Sequence, residues 1–243
     1  MRLLSADFVT SAAPGPSTGS VLIGIPRDGV SQVAFVGRSN VGKSSLINAL
    51  SRAKIARTSA APGKTRLANV YRLVAEAGAG GPGRWSVYFV DLPGYGYARR
   101  SMPGQARHRP GPGRETKASL RAEPVEARGG VDEADELRSI AEGYFRSADP
   151  GIRRAAMLLV DSRHPGLETD IAAARWLDGL NVTRHVVATK IDKLSRAERA
   201  RSLRTIENVF GMTAVPVSVT SGEGLDVLWT MIARIARDAQ PRG

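Results

Sequence analysis

Gly37-Arg38-Ser39-Asn40-Val41-Gly42-Lys43-Ser44 follows directly on the apolar run Val33-Ala34-Phe35-Val36. A G-x-x-x-x-G-K-S/T loop between a buried strand and a helix is a phosphate cradle. Gly37 and Gly42 let the backbone curl so that successive N–H groups face phosphate oxygens with no Cβ in the way. Lys43 is a compact positive charge for β- and γ-phosphate oxygens, and Ser44 offers a hydroxyl to Mg²⁺. The helix that begins here aims its positive end at the anion.

Four later stretches carry residue types that complete such a site. Arg57 to Arg66 is polar and contains Pro62 and Gly63. A loop there can reach over a γ-phosphate, making Thr65 the candidate second hydroxyl for Mg²⁺; alternatively, Thr65 merely opens the strand through Tyr71 and Val74. Asp91-Leu92-Pro93-Gly94 closes another apolar run. An acidic group at that point can hold Mg²⁺ through water, and the Gly94 N–H can donate to the γ-phosphate. Thr189-Lys190-Ile191-Asp192 follows Val186-Val187-Ala188. A carboxylate at Asp192 can accept from the N1–H and the exocyclic amino group of guanine, a pair adenine lacks, while Lys190 lays its stem along the base. The turn Ser218-Val219-Thr220 can offer backbone N–H groups to the guanine O6. His108, His164 and His185 share no metal-ligand spacing.

These groups need rigid supports, and the hydrophobic pattern supplies them. Short apolar runs at 33–36, 85–90, 155–160, 186–188 and 215–217 predict buried strands. Helical spacing of Leu46, Ile47 and Leu50 predicts a helix behind the Lys43 loop. Further helices are predicted from Leu137 to Phe145, Ile171 to Leu180, Leu203 to Phe210 and Leu225 to Ile235, with Trp229 as core. Alternating strands and helices predict an α/β fold with a mostly parallel central sheet flanked by helices on both faces. Residues 1–30, rich in Pro, Gly, Ser and Ala, read as an irregular arm with one edge strand near Val21-Leu22-Ile23. The segment at about 99–130, with Pro103, Pro110 and Pro112 among arginines, reads as a flexible basic excursion within a domain spanning 31–237, and 238–243 as a tail.

The 243 residues contain no cysteine, which excludes disulfides and thiolate metal sites and fits a reducing compartment. No apolar run approaches the ~18 residues that span a bilayer, and Asp7 interrupts any secretory segment, so a cytoplasmic protein without membrane attachment is expected. The net charge of +12 is concentrated: nine basic and two acidic side chains lie between 31 and 98, and eight against three between 99 and 130. Positive charge gathered around the phosphate loop is what a polyanion-facing surface needs, and it points to nucleic acid or the ribosome as partner.

In order and wording, these stretches resemble the five nucleotide-binding motifs of a Ras-like GTPase domain. G-R-S-N-V-G-K-S-S, R-T-S-x-x-P-G-K-T and D-L-P-G-Y-G-Y-A are similar to those of the EngB family (also called YihA or YsxC) of bacterial ribosome-biogenesis GTPases. The resemblance implies a three-layer P-loop GTPase fold and a GTP–Mg²⁺ switch that assists assembly of the large ribosomal subunit and contacts its rRNA, with a link to cell division and septation. It places Mg²⁺ on Ser44 and Thr65. It places the nucleotide on Gly37 to Ser44, on Gly63, Lys64, Thr65, Arg66 and Leu67, on Asp91 to Gly94, on Thr189 to Asp192 and on Ser218 to Thr220. Lys43, Thr65 and Gly94 would bear on the reacting phosphate.

Asn40 stands where related GTPases hold K⁺, which adds K⁺ as a candidate cofactor. Two departures are visible: the excursion at 99–130, and Ala60-Ala61 where the family often has Lys-Thr. Tyr95 follows Gly94 in place of the glutamine that orients water in Ras-type hydrolysis, so low intrinsic GTPase activity is expected. A monomer is the expected state. The competing readings are an RNA-binding assembly factor whose hydrolysis is incidental, and a GTPase of the small subunit or of tRNA modification.

Overall fold

The computed structural model describes residues 1–15, 22–56, 67–76, 83–95, 133–146 and 151–237. Its strands are β1 (Arg2–Pro14), β2 (Leu22–Ile23), β3 (Gln32–Gly37), β4 (Ala68–Glu76), β5 (Arg84–Asp91), β6 (Arg154–Asp161), β7 (Thr183–Thr189) and β8 (Val215–Pro216). Its helices are α1 (Lys43–Ser51), α2 (Glu133–Arg146), α3 (Glu168–Gly179), α4 (Arg196–Phe210) and α5 (Leu225–Arg237). The expectations for Gly63, Lys64, Thr65 and Arg66, for the excursion at 99–130 and for the tail 238–243 lie outside the described residues.

One sheet, in the order β2-β1-β4-β5-β3-β6-β7-β8, organises the chain. From β5 through β3, β6 and β7 to β8 every pairing is parallel, whereas β1–β4 and β4–β5 are antiparallel. All six residues of β3 are buried, because helices cover both faces of a parallel sheet. On one face Leu46, Ile47 and Leu50 of α1 and Leu228, Trp229 and Ile232 of α5 pack on Val33, Phe35, Phe89 and Leu159. On the other, Ile140 and Tyr144 of α2, Leu177 of α3 and Ile206 of α4 pack on Ala34, Val36, Val90 and Leu158. The alternation of Val33, Ala34, Phe35 and Val36 between the two clusters is the period-2 geometry of a strand. The three-layer α/β architecture is thus as the hydrophobic pattern predicts. Trp229 is core as expected, with its Nε1 donating to the Leu50 carbonyl at 3.2 Å. Among the described residues no helix is long and apolar enough to cross a membrane.

The N-terminal arm differs from its expected irregularity. Residues 2–14 form a 13-residue strand that runs antiparallel to β4, and β2 pairs with its end through Ala13 and Pro14. The register slips between Leu3 and Ser5 and again between Phe8 and Thr10. Each slip reverses which side chains face inward, so no steady polar–apolar alternation runs along these residues. Asp28 anchors the segment that follows: the Tyr88 hydroxyl donates to its Oδ2 at 2.8 Å, and burial together with that carboxylate pushes the phenol up to about 12.

At the far edge, the chain turns from β8 into α5 through a backbone crossing that only glycine permits. Gly224 has φ +76°, and a Cβ there would lie 2.0 Å from the Pro216 carbonyl oxygen. The same turn is closed by Ser218 N–H to the Glu223 carbonyl at 3.0 Å and Gly222 N–H to the Ser218 carbonyl at 2.9 Å. Gly224→Ala is expected to destabilise the fold by about 2–4 kcal/mol, from left-handed strain plus backbone overlap. Gly222→Ala, with φ +79° but open space around it, is expected to cost roughly 1 kcal/mol. Urea denaturation of both variants checks the ranking, and equal costs would remove the crossing as the cause.

Candidate functional site

The carboxyl ends of the parallel strands meet at one edge of the sheet, the place where open α/β sheets bind ligands. Gly37 ends β3, Asp91 ends β5, Asp161 ends β6 and Thr189 ends β7. The register puts Phe35 opposite Asp91 and Asp161 opposite Thr189, so the loops leaving these strands start side by side.

Residues 38–42 bend from β3 into α1, whose first residue is Lys43. The Lys43 side chain turns back into its own loop, with Nζ donating to the carbonyls of Gly37 at 2.9 Å and Arg38 at 3.3 Å. Burial holds this ammonium below its ordinary pKa, and nearby Asp91 acts in the opposite direction. Burial likewise raises the Asp91 carboxyl, against the pull of Lys43 and of the Ser44 hydroxyl, which donates to Asp91 Oδ2 at 2.9 Å. A hydroxyl and a carboxylate at hydrogen-bond distance are hard oxygen donors of the kind Mg²⁺ takes, with only one or two protein ligands and the remainder from phosphate and water. The donor set fits that ion.

Leu92 is buried with its N–H on the Phe35 carbonyl at 3.3 Å, and Pro93 and Gly94 lead the chain back over the phosphate loop. There the Ser39 N–H donates to the Tyr95 carbonyl at 3.1 Å, and Arg38 and Tyr95 form a parallel bridge. The Tyr95 ring turns away from Lys43 toward α3, where its hydroxyl donates to Asp170 Oδ1 at 3.0 Å. Burial, reinforced by that carboxylate, pushes the phenol far above its ordinary value.

The second half of the site is tied to the first. The Thr189 hydroxyl lies 2.9 Å from the Val41 carbonyl and 3.2 Å from that of Val160. Thr189 is buried, so its side chain faces inward and joins the loop at Val41 to β6. Lys190, at φ 59°, extends across the site to donate to the Asn40 carbonyl at 2.7 Å and to Asp161 Oδ2 at 2.9 Å. Ile191 is buried and opens a short 3₁₀ turn, Ile191–Lys193, that carries Asp192 outward. The Ser218 hydroxyl donates to Asp192 Oδ1 at 2.8 Å, and this bond is the main cause holding the Asp192 carboxyl below its usual range. Ser218 Oγ in turn accepts from the N–H groups of Thr220 at 3.2 Å and Ser221 at 3.1 Å. Val219 is half-buried and Thr220 exposed at the lip of this turn.

The structure therefore brings together Gly37 to Ser44, Asp91 to Gly94, Thr189 to Asp192 and Ser218 to Thr220. Leu67, the described end of the Gly63–Leu67 stretch, is exposed just before β4. Two acidic residues that the motifs pass over also serve this edge. Burial alone would raise Asp161, but hydrogen bonds from Arg163 and Lys190 outweigh it and hold the carboxyl well below the usual range. Asp161 closes a buried apolar run just as Asp91 does, and that shared pattern is the signal that could have found it. Asp170, in the first turn of α3, carries no such signal.

Residues 32–144 match the family model described as 50S ribosome-binding GTPase. Across 98% of this chain and 94% of the relative, the sequence is 35% identical to the probable GTP-binding protein EngB of Anaeromyxobacter sp. strain Fw109-5. It is 39% identical to the probable GTP-binding protein EngB of Chlorobaculum parvum, across 94% of this chain and 95% of that protein. Among solved structures, a probable GTP-binding protein engB superposes with a TM-score of 0.53 at 18% identity, covering 86% of this chain and 100% of the other. Era, crystallised with MgGDPNP and nucleotides 1506–1542 of 16S ribosomal RNA, superposes at 0.58 and 23% identity, covering 88% of this chain and 59% of that one. The two superpositions speak to the fold, which is that of the P-loop GTPases. Matched at these identities over nearly its whole length, the chain belongs to the EngB family of GTP-binding proteins and carries a GTPase domain.

Proposed function

We propose that this protein is a cytoplasmic GTP–Mg²⁺ switch that assists assembly of the large ribosomal subunit, with a linked role in normal cell division and septation. The observation that carries the reading is the convergence, on one sheet edge, of the Lys43 loop, the Ser44–Asp91 pair and the Asp192–Ser218 turn. In this reading the loop from Gly37 through Arg38, Ser39, Asn40, Val41 and Gly42 cradles the phosphates. Lys43 neutralises their charge, and Gly94 offers its N–H to the last phosphate. Ser44 and Thr65 hold Mg²⁺, with Asp91 behind it, and Mg²⁺ when bound neutralises charge on the phosphate oxygens. Gly63 to Leu67 sense the γ-phosphate.

Asp192, kept ionised by Ser218, accepts the two donors of guanine, while Lys190 lies beneath the base and Ser218 to Thr220 approach O6. The ribosome is favoured as partner by the description of the matched family and by the basic excess between residues 31 and 130. Polyanion binding of that kind is strongly salt-dependent.

Asp192→Asn replaces an acceptor with an amide that donates toward the guanine amino group. GDP affinity by calorimetry is expected to fall about 30- to 100-fold, while xanthosine diphosphate, with a carbonyl in place of that amino group, gains. Unchanged GDP affinity would sink the base assignment. Because the Tyr95 hydroxyl is turned to Asp170, the side chain directly after Gly94 is not free to orient water, and single-turnover hydrolysis by the isolated protein is expected to be slow. Replacing Na⁺ by K⁺ is expected to raise that rate if Asn40 helps to hold the ion, and identical rates would remove K⁺ as a cofactor.

Sedimentation with separated ribosomal subunits, with GDP or a non-hydrolysable GTP analogue over a salt series, tests the assembly role. Co-migration with the large subunit in the GTP-like state is the expected result. Binding to RNA that ignores nucleotide and subunit would favour the incidental-hydrolysis alternative.

A further inference from the structure

Asp170 is fully buried in the first turn of α3, and two groups from the nucleotide edge converge on the same carboxylate oxygen. The Tyr95 hydroxyl donates to Oδ1 at 3.0 Å, and Arg38 Nε forms an ion pair with it at 3.2 Å. Oδ2 has no hydrogen-bond partner among the described residues. Arg38 belongs to the phosphate loop, Tyr95 follows the D-x-x-G turn, and Asp170 lies on a helix outside every nucleotide motif.

The contact bears on which nucleotide fits. Gly94 sits so close to the phosphate loop that a methyl group on its α-carbon would come within 2.8 Å of both Lys43 Nζ and Ser39 N. A phosphoryl group is larger than a methyl group. Placing one between Lys43 and Gly94 therefore requires the turn to lift, whereas a diphosphate, which ends one phosphate earlier, makes no such demand. Holding the turn down are the Ser39 N–H to Tyr95 carbonyl bond at 3.1 Å, a longer contact from Ser39 Oγ to the Gly94 carbonyl at 3.4 Å, and the Tyr95–Asp170 bond.

We infer that Arg38, Tyr95 and Asp170 form a clasp that sets the preference between guanosine di- and triphosphate, with Tyr95 and Asp170 as positioning residues that favour the diphosphate. The clasp is built to open. When Tyr95 leaves, Asp170 keeps its ion pair with Arg38 and the favourable field of the α3 N-terminus, so no buried charge is stranded. The residue that occupies the water-orienting position of Ras-type enzymes is used here to fasten the turn. Opening it passes the presence of a third phosphate to α3.

The inference rests on the GTP-switch reading, and the test separates the two. The full-length wild-type protein, Tyr95→Phe, Asp170→Asn and the double variant are titrated calorimetrically with GDP and with GDPNP in Mg²⁺ buffer. Tyr95→Phe removes one hydroxyl and is expected to raise GDPNP affinity about three- to tenfold, the effect of one buried hydrogen bond, with GDP affinity changed less than twofold. Asp170→Asn is expected to shift the ratio in the same direction, and it carries the test should Tyr95→Phe not fold. The double variant is expected to exceed neither single variant by much, because both act through one contact.

An unchanged GDPNP-to-GDP ratio in a folded variant overturns the clasp, and so does a ratio that falls. Fully additive effects in the double variant overturn the shared contact. A wild-type protein that binds neither nucleotide overturns the switch reading itself.

Discussion

The ammonium of Lys43 and the carboxylate of Asp91 are both taken out of water where β3 and β5 release their loops, with the two residues only 9% and 4% exposed. Burying opposite charges is costly unless each is hydrogen-bonded as well as paired. Here Lys43 has the carbonyls of Gly37 and Arg38, and Asp91 has the Ser44 hydroxyl. Burial still holds the lysine low and the carboxyl high, although each acts on the other in the opposite direction. Anionic phosphate against Lys43 and a divalent cation beside Asp91 would each supply what burial has removed. In the proposed reading, a nucleotide and its metal ion bring that charge to this edge.

Such a buried pair can be kept only on a rigid support. The fully buried β3 is gripped by parallel partners on both sides and by helices on both faces. Cross-ties extend that rigidity into the loops. Thr189 holds the Val41 carbonyl, Lys190 spans from the Asp192 turn to Asn40 and Asp161, and Ser202 of α4 donates to the Ser162 carbonyl at 2.6 Å. The Ser195–Glu198 capping box starts α4 directly behind the Asp192 turn, so that turn is braced from its far side too. The Asp192 turn and the Lys43 loop are thus tied into one unit.

What could be read from residues alone follows from how local each cause is. The phosphate loop, Asp91, Asp192 and the buried strands announce themselves within a few positions, because a strand's period and a motif's spacing are short-range properties. The strand β1 does not, since its two register slips erase alternation and its pairing partner β4 lies some 60 residues away in the chain. Asp161 was half legible, as an acid closing an apolar run, but its partner Lys190 comes from a different strand end. Asp170 was not legible at all: in sequence it is an ordinary first-turn helix acid, and only folding brings Arg38 and Tyr95 to it. Gly224 belongs with it, because its necessity comes from the Pro216 carbonyl that the return of the chain presses against it.

The contrast between the two halves of the edge gives the site its direction of movement. Asp161 and Asp192 are each held below the usual range by hydrogen bonds, from Arg163 and Lys190 and from Ser218, so these contacts already favour the ionised carboxylates. Asp170 is the reverse: burial raises its carboxyl despite Arg38 and Tyr95, and one of its oxygens has no hydrogen-bond partner among the described residues. A network with a spare acceptor can exchange one donor for another at small cost, whereas a saturated one cannot. On the proposed reading, a rearrangement forced by a longer phosphate chain would run through the turn after Asp91 and into α3, while the Asp192 turn would stay tied to the Lys43 loop through Lys190 and Asn40.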